Sequence, residues 1–215
     1  MCGIIGYENK ETTKQDLETL KKVLYESKIR GKHASGIAWY DGTDIQSYVK
    51  PISIDKLISE FDLNKLVHKG KVAMIAHARY STSDIDYNQP ILTETMAVVH
   101  NGVITQDSPS SWHDTYGYKC VGKNDSELIL RALEQGKDPL LEFPDASISA
   151  VVLNNTGGLN YMRNARRPLW TGVIGKGTVV ASTYDILNRA GVQNIQKITV
   201  DNDLQERSLC HDGKY

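Results

Sequence analysis

A cysteine stands at position 2 of this 215-residue chain, directly after Met1 and at the head of an apolar, glycine-flanked run, Cys2-Gly-Ile-Ile-Gly-Tyr7. A small second residue favours removal of the initiator methionine, which would leave Cys2 with a free α-amino group beside its thiol. An α-amine titrates near ~7.7–8.0 and a thiol near ~8.5, so the amine is a nearly matched base tethered to its own nucleophile. Such a residue can attack a carbonyl carbon without a His or Asp. Position matters here, because a cysteine inside an apolar strand is ordinarily just a small buried residue. Chain ends are usually polar and frayed, so an apolar one is expected to be built into the core.

The other candidate groups are less telling by themselves. Asn101-Gly102 reads as an ordinary turn at a strand end, Arg79 as a surface arginine after a buried strand, and Asp125 as the N-cap of a helix starting at Ser126. Cys120 and Cys210 have no visible partner, and three cysteines are too few and too scattered for a disulfide framework. The six histidines are scattered too, and no paired-ligand spacing such as Cys-x-x-Cys occurs, so no metal site is expected. Charges nearly cancel, 25 Lys+Arg against 26 Asp+Glu, with a pI of about 6.6. That balance argues against a dedicated nucleic-acid binder. The longest aliphatic run, Val72 to Ala76, is far short of the ~20 apolar residues of a membrane span. Glu8 to Glu11 come too early for a signal peptide, so a cytoplasmic chain is expected. Gly175-Lys-Gly177 lacks the spacing of a phosphate loop, and no cofactor is expected.

The elements that must position these groups follow from periodicity. Cys2–Tyr7 reads as a strand. A helix is expected from the Thr12-Thr13 cap through about Ser27, with Leu17, Leu20 and Leu24 inward. Arg30–Gly36 reads as a loop, and Ile37–Tyr40 with Ile45–Val49 as a hairpin about Asp41-Gly42. Ile54–Leu66 is weakly helical, Lys71–Arg79 and Met96–His100 are buried strands, and Gln106–Gly122 is loop-like. A helix is expected over Ser126–Gln135. Strands follow at Ser147–Leu153, Leu159–Arg163, Leu169–Ile174 and Thr178–Ser182, then a short helix at Tyr184–Ala190 and a last strand near Ile195–Val200. Strands outnumber helices and the connections look like hairpins. Stacked, mostly antiparallel sheets covered by helices are expected, in a single domain over residues 1–215.

Five motifs occur in order: Met-Cys-Gly-Ile-Ile-Gly6, Arg30-Gly-x-x-x-x-Gly36, His77-Ala-Arg-Tyr-Ser-Thr82, Val99-His-Asn-Gly-Val-Ile104 and Asn124-Asp-Ser-Glu-Leu-Ile129. The series resembles the class II glutamine amidotransferase domains of the N-terminal-nucleophile hydrolase superfamily, such as those of glucosamine-6-phosphate synthase and amidophosphoribosyltransferase. The resemblance runs from Cys2 to about Leu187. It implies an α+β fold, a four-layer αββα sandwich of two mostly antiparallel sheets, and an enzyme acting on L-glutamine.

By that resemblance Cys2 attacks the side-chain amide and forms a γ-glutamyl thioester that water hydrolyses. Asn101 and Gly102 match the family's oxyanion donors. Arg79, with Tyr80 and Thr82, matches the pocket for the substrate α-carboxylate, for which a planar guanidinium suits better than an ammonium. Asp125 matches the acid that binds the α-ammonium, and Arg30 with Gly31 matches the loop over the nucleophile. This chain departs in that loop: His33 stands where many members carry Asp, and Ser35 is shifted by one. His77 and His100 are expected to be packed supporting residues rather than half of a Cys–His dyad. Since the chain ends soon after the glutaminase-like region, released ammonia is expected to pass to a separate acceptor synthase. Two other possibilities are a free-standing amidohydrolase acting on another γ-glutamyl compound, and a catalytically silent binding or regulatory module of the same fold.

Overall fold

The computed structural model describes residues 2–80 and 87–199 and a strand at 207–209. In chain order the elements are β1 (Gly3–Asn9), α1 (Lys14–Glu26), β2 (Ala34–Tyr40), β3 (Ile45–Lys50), α2 (Ile54–Glu60), β4 (Val67–His68), β5 (Lys71–Arg79), β6 (Ile91–Leu92) and β7 (Met96–His100). There follow α3 (Trp112–Tyr116), α4 (Glu127–Glu134), α5 (Pro139–Glu142), β8 (Ser149–Asn154), β9 (Leu159–Arg163), β10 (Trp170–Ile174), β11 (Gly177–Ala181), α6 (Tyr184–Arg189), β12 (Gln193–Lys197) and β13 (Arg207–Leu209).

Two sheets form. The first runs β12-β10-β11-β1-β5-β2-β3, with β4 beside β5, and the second runs β13-β9-β8-β7-β6. Every pairing among the described strands is antiparallel. Alternation along each strand divides the interior into three cores. Ile4, Ile75, Val99, Val151 and Val180 face one another between the sheets. Their neighbours Ile5, Met74 and Ala76 face outward, onto Leu20 and Leu24 of α1, Leu57 of α2 and Leu187 of α6. On the far side Val98, Ala150 and Val152 lie under Leu128, Ile129 and Ala132 of α4 and Leu140 of α5. Central strands covered on both faces must be apolar almost throughout, hence the unbroken runs that the sequence showed. The result is the four-layer αββα sandwich expected.

Local chemistry sets the element ends. Thr13 caps α1: its hydroxyl accepts from the Asp16 N–H at 3.1 Å, and the Asp16 carboxylate accepts from the Thr13 N–H at 2.9 Å. That reciprocal pair satisfies two otherwise orphaned donors. At the β2–β3 turn the Asp41 carboxylate accepts from the N–H groups of Thr43 and Asp44, which holds its pKa at about 2.

Some boundaries differ from the sequence expectation. Ala34–Gly36, expected in a loop, begin β2, because they pair with His77–Arg79. Trp112–Tyr116, inside the segment expected as loop, is a helical turn anchored by the buried Trp112 ring, whose indole N–H donates to the Asp107 carbonyl at 3.0 Å. The last expected strand lies earlier, at Gln193–Lys197, and Val200 falls outside the described residues. No helix among the described residues is long and apolar enough to cross a membrane.

The sheets pack tightly at Gly6, where a Cβ would lie 2.7 Å from Val151 Cγ1. Gly6→Ala should therefore overpack the inter-sheet core and cost roughly 1–3 kcal/mol. A urea unfolding midpoint that does not move would contradict this close contact.

Candidate active site

The fold brings three strand ends together. β1 opens next to Cys2, and its antiparallel partner β5 closes at Arg79, with Gly3 opposite Ala78 and Ile4 opposite His77. Strand alternation sets Cys2 on the same face as Ile4, which looks into the inter-sheet core, and His77 and Arg79 share that face of β5. From the second sheet, β7 ends at His100 and delivers Asn101 and Gly102. A cleft of about 580 Å³ opens where these ends meet, and Cys2, Arg79, Tyr80, Asn101, Gly102 and Asp125 all line it.

Asn101 is the pivot. It is 3% exposed, and its Oδ1 accepts from the Cys2 nitrogen at 3.2 Å. Its own backbone N–H donates to the Ser149 carbonyl at 2.8 Å. Its side-chain Nδ2 is buried without any hydrogen-bond partner among the described residues. A buried amide normally has its donors satisfied, so an orphaned one in a cleft-lining residue is set to bind something that is not protein. Gly102 must be glycine, because a Cβ there would overlap the Ser147 carbonyl oxygen. Two N–H donors next to a nucleophile can hold an oxyanion.

Arg79 is buried, with Nη1 donating to Asn88 Oδ1 at 2.9 Å and its guanidinium 5.8 Å from the Tyr87 ring centre. Asp125 is half-buried. It does not cap α4 with its side chain: its Oδ2 accepts from the N–H groups of Ile104 at 2.6 Å and Thr105 at 3.4 Å. The local N-cap reading of Asp125 is thereby corrected, since the carboxylate is spent on the chain just after the Asn-Gly turn. Asn124 Oδ1 takes the Ser126 N–H instead, at 3.0 Å. Tyr80 stands at the rim, 57% exposed, its ring 5.3 Å from that of His33.

Arg30 and Gly31 are not among the lining residues. Gly31 packs its backbone on that of Arg79 and Tyr80, too close for any side chain. The Arg30 guanidinium is partly buried. Burial lowers its pKa, the Cys2 sulfur opposes that shift, and the Arg167 charge adds to it. Thr82 lies outside the described residues, as do Met1, Cys210 and His211. Cys120 packs against the outer core of the second sheet, where burial and then Glu127 push its thiol up to about 11.

Sequence reasoning passed over Gln89, Ser126 and Arg167, which also line the cleft. Arg167 sits on a tight connection, its N–H donating to the Asn164 carbonyl and its own carbonyl accepting from Arg163 Nε at 2.7 Å. Only the pairing of Arg30-Gly31 with a second glycine drew attention to that side of the site. Nothing in the Arg166-Arg167 pair signals a cleft position. A wider depression of about 780 Å³ opens at the other end of β1, around Glu8–Glu11, His68–Lys71 and Lys176, with no thiol in it. Among the described residues no cluster of His, Cys, Asp and Glu could hold a metal ion.

The two histidines of the cleft are neutral. Burial, then the charges of Arg79 and His100, pull His77 down to about 3. Burial lowers His100 as well, against the opposing pull of Asp125. Both His100 ring nitrogens are engaged, Nδ1 3.0 Å from Ser126 Oγ and Nε2 3.1 Å from the Ser147 carbonyl. His100 is thus unavailable as a base for Cys2.

No family model matches the chain. In sequence it is similar to the glutamine–fructose-6-phosphate aminotransferase (isomerizing) of Helicobacter pylori, 29% identical over 157 residues that cover 69% of this chain and 25% of that protein. The enzyme of the same name from Clostridium perfringens is 33% identical over 137 residues, covering 60% of this chain and 21% of that protein. The chain spans about a quarter of the length of these curated relatives. In fold it is similar to the glutamine phosphoribosylpyrophosphate amidotransferase of B. subtilis, with a TM-score of 0.72 at 17% identity, over 99% of this chain and 50% of that one. Fold and site together define a two-sheet αββα sandwich with a cleft at the strand ends, and in sequence the chain is similar to the glutamine-using aminotransferases named above.

The unfolded chain protonates His77 near the ordinary 6.5, whereas the folded one resists until about 3. The unfolded state therefore binds more protons between these values. Stability is complete above pH 6.5 and falls with acid, by up to about 1.4 kcal/mol per pH unit from this group. Denaturant unfolding at pH 7 and pH 4.5 should show a smaller loss in His77→Asn than in the wild type. Equal losses would contradict the buried neutral imidazole.

Proposed function

We propose that the chain hydrolyses the side-chain amide of L-glutamine through a Cys2 thioester, giving glutamate and ammonia. The observation that carries this reading is the single amide of Asn101, whose oxygen meets the Cys2 nitrogen while its own nitrogen lies buried and unpaired. With Met1 removed, the nitrogen 3.2 Å from Asn101 Oδ1 is the α-amine. Asn101 then orients the base through its oxygen and the oxyanion through its nitrogen.

The steps balance as follows. The amine takes the Cys2 thiol proton, and the thiolate sulfur bonds to the amide carbon. Negative charge moves to the amide oxygen, where Asn101 Nδ2–H and the Gly102 N–H hold it. Collapse breaks the carbon–nitrogen bond, and the α-ammonium returns its proton to the leaving ammonia. Water, deprotonated by the same amine, then attacks the thioester and frees glutamate and the thiol. Arg79 pairs with the substrate α-carboxylate and Asp125 with its α-ammonium, together a clamp for an amino acid head group. Tyr80 completes the carboxylate side, and Arg30 with Gly31 supports the nucleophile's flank. The ammonia passes to an acceptor synthase in the cytoplasm.

Glutamate release from glutamine, measured enzymatically, should vanish in Cys2→Ala and fall about 10²–10³-fold in Asn101→Ala. Intact mass of the active chain should lack the initiator methionine. A Cys2→Ala chain that keeps full activity, or an active chain that retains Met1, would sink the mechanism. Preference for another γ-glutamyl amide over glutamine would turn the assignment to a free-standing amidohydrolase.

A further inference from the structure

Three cleft residues outside the proposed chemistry are joined to one another. The Ser147 carbonyl can only accept, so His100 Nε2, 3.1 Å away, carries the hydrogen and Nδ1 is bare. The Ser126 hydroxyl, 3.0 Å from Nδ1, therefore donates to it. The Ser126 oxygen accepts from Gln89 Nε2 at 3.2 Å, and Gln89 Oε1 accepts from the His100 backbone N–H at 2.6 Å. Each donor in this closed ring finds one acceptor, and all three residues are buried.

We propose that Gln89, Ser126 and His100 are positioning residues, a hydrogen-bonded ring that fixes the Asn101–Gly102 turn and the two substrate-clamping side chains in one geometry. This rests on the glutaminase reading above. Each member adjoins a working residue in sequence. Gln89 follows Asn88, which holds Arg79 Nη1 at 2.9 Å; His100 precedes Asn101; Ser126 follows Asp125. A second tie runs alongside, with Asn124 Nδ2 donating to the Tyr87 carbonyl at 2.9 Å and Asn124 Oδ1 accepting from the Ser126 N–H. The ring thus locks three segments far apart in sequence. Donors aimed at a developing charge act only when held in place beforehand, which gives such a ring its function.

Gln89→Glu tests the wiring. A carboxylate has no N–H for Ser126, whose hydroxyl would turn toward it and leave His100 Nδ1 without its donor. The added negative charge also favours the imidazolium. Around His100 the other titratable or charged groups are Asp125, Arg167 and His77, with Cys2 and Arg79 along the same cleft.

The experiment measures steady-state glutamate release and imidazole nitrogen NMR on the full chain as wild type, Gln89→Leu, Gln89→Glu and Ser126→Ala. In Gln89→Leu and Ser126→Ala, kcat should fall roughly tenfold to a hundredfold, with KM for glutamine held within about threefold. In the wild type, His100 should stay a neutral Nε2–H imidazole from pH 5 to 8, and Gln89→Glu should add an ionisation in that range to both the spectra and the kcat profile. Unchanged kcat in folded variants would show that the ring only adds stability, and an Nδ1–H imidazole in the wild type would show that it is wired differently. Either result overturns the proposal. If Gln89→Leu does not fold, Ser126→Ala and the wild-type spectra decide. Should the wild type release no glutamate, the functional reading fails by itself and the nitrogen spectra judge the ring.

Discussion

The hydrogen bond from the Cys2 nitrogen to Asn101 Oδ1 ties the first residue described to the end of a strand in the other sheet, 99 positions away. No local preference brings those two groups together. They meet because β1 and β7 stack across the inter-sheet core, Ile4 and Val99 both packing into it. Everything at the cleft depends on that stacking. If β1 or β5 slipped by one residue in its pairing register, period-two alternation would turn Cys2, or His77 and Arg79, to the opposite face. Glycines at points of close approach guard the register. Gly6 leaves room for Val151, Gly31 for the Arg79 backbone and Gly102 for the Ser147 carbonyl.

Burial then sorts the polar groups of the cleft into charged and neutral. The Arg79 guanidinium lies beside Asn88 and the Tyr87 ring, and the Asp125 carboxylate accepts two backbone N–H groups. The histidines go the other way, because an apolar sandwich penalises imidazolium and Arg79 and Arg167 repel it. Arg79 and Asp125 therefore stand in a cleft that also carries Asp107, Lys123 and Arg167 among its amides, hydroxyls and imidazoles.

Much of this was legible in the chain. α1 announces itself through the Thr12-Thr13 cap and the Leu17, Leu20, Leu24 stripe, and β9 matches its expected span, Leu159–Arg163. Cys2, Arg79, Asn101, Gly102 and Asp125 were singled out before any geometry was known, and they line one cleft. The helical turn at Trp112 was not legible, because one buried indole makes no periodicity. The start of β2 at Ala34 was missed for a related reason: Ala-Ser-Gly has no strand preference, and pairing with β5 imposes the extended backbone.

Sequence by itself determined the place of Cys2 at the head of an apolar strand, the alternating strands and the two capped or amphipathic helices, because these depend on residue type and spacing within a few positions. Only the tertiary structure decided that Asp125 serves the turn after Asn101 rather than its own helix, that Arg30 and Gly31 support the cleft without lining it, and that Gln89, Ser126 and His100 close a ring. Those outcomes depend on which atoms of distant segments come within hydrogen-bonding distance. That is set by how two sheets stack, and no window along the chain contains it.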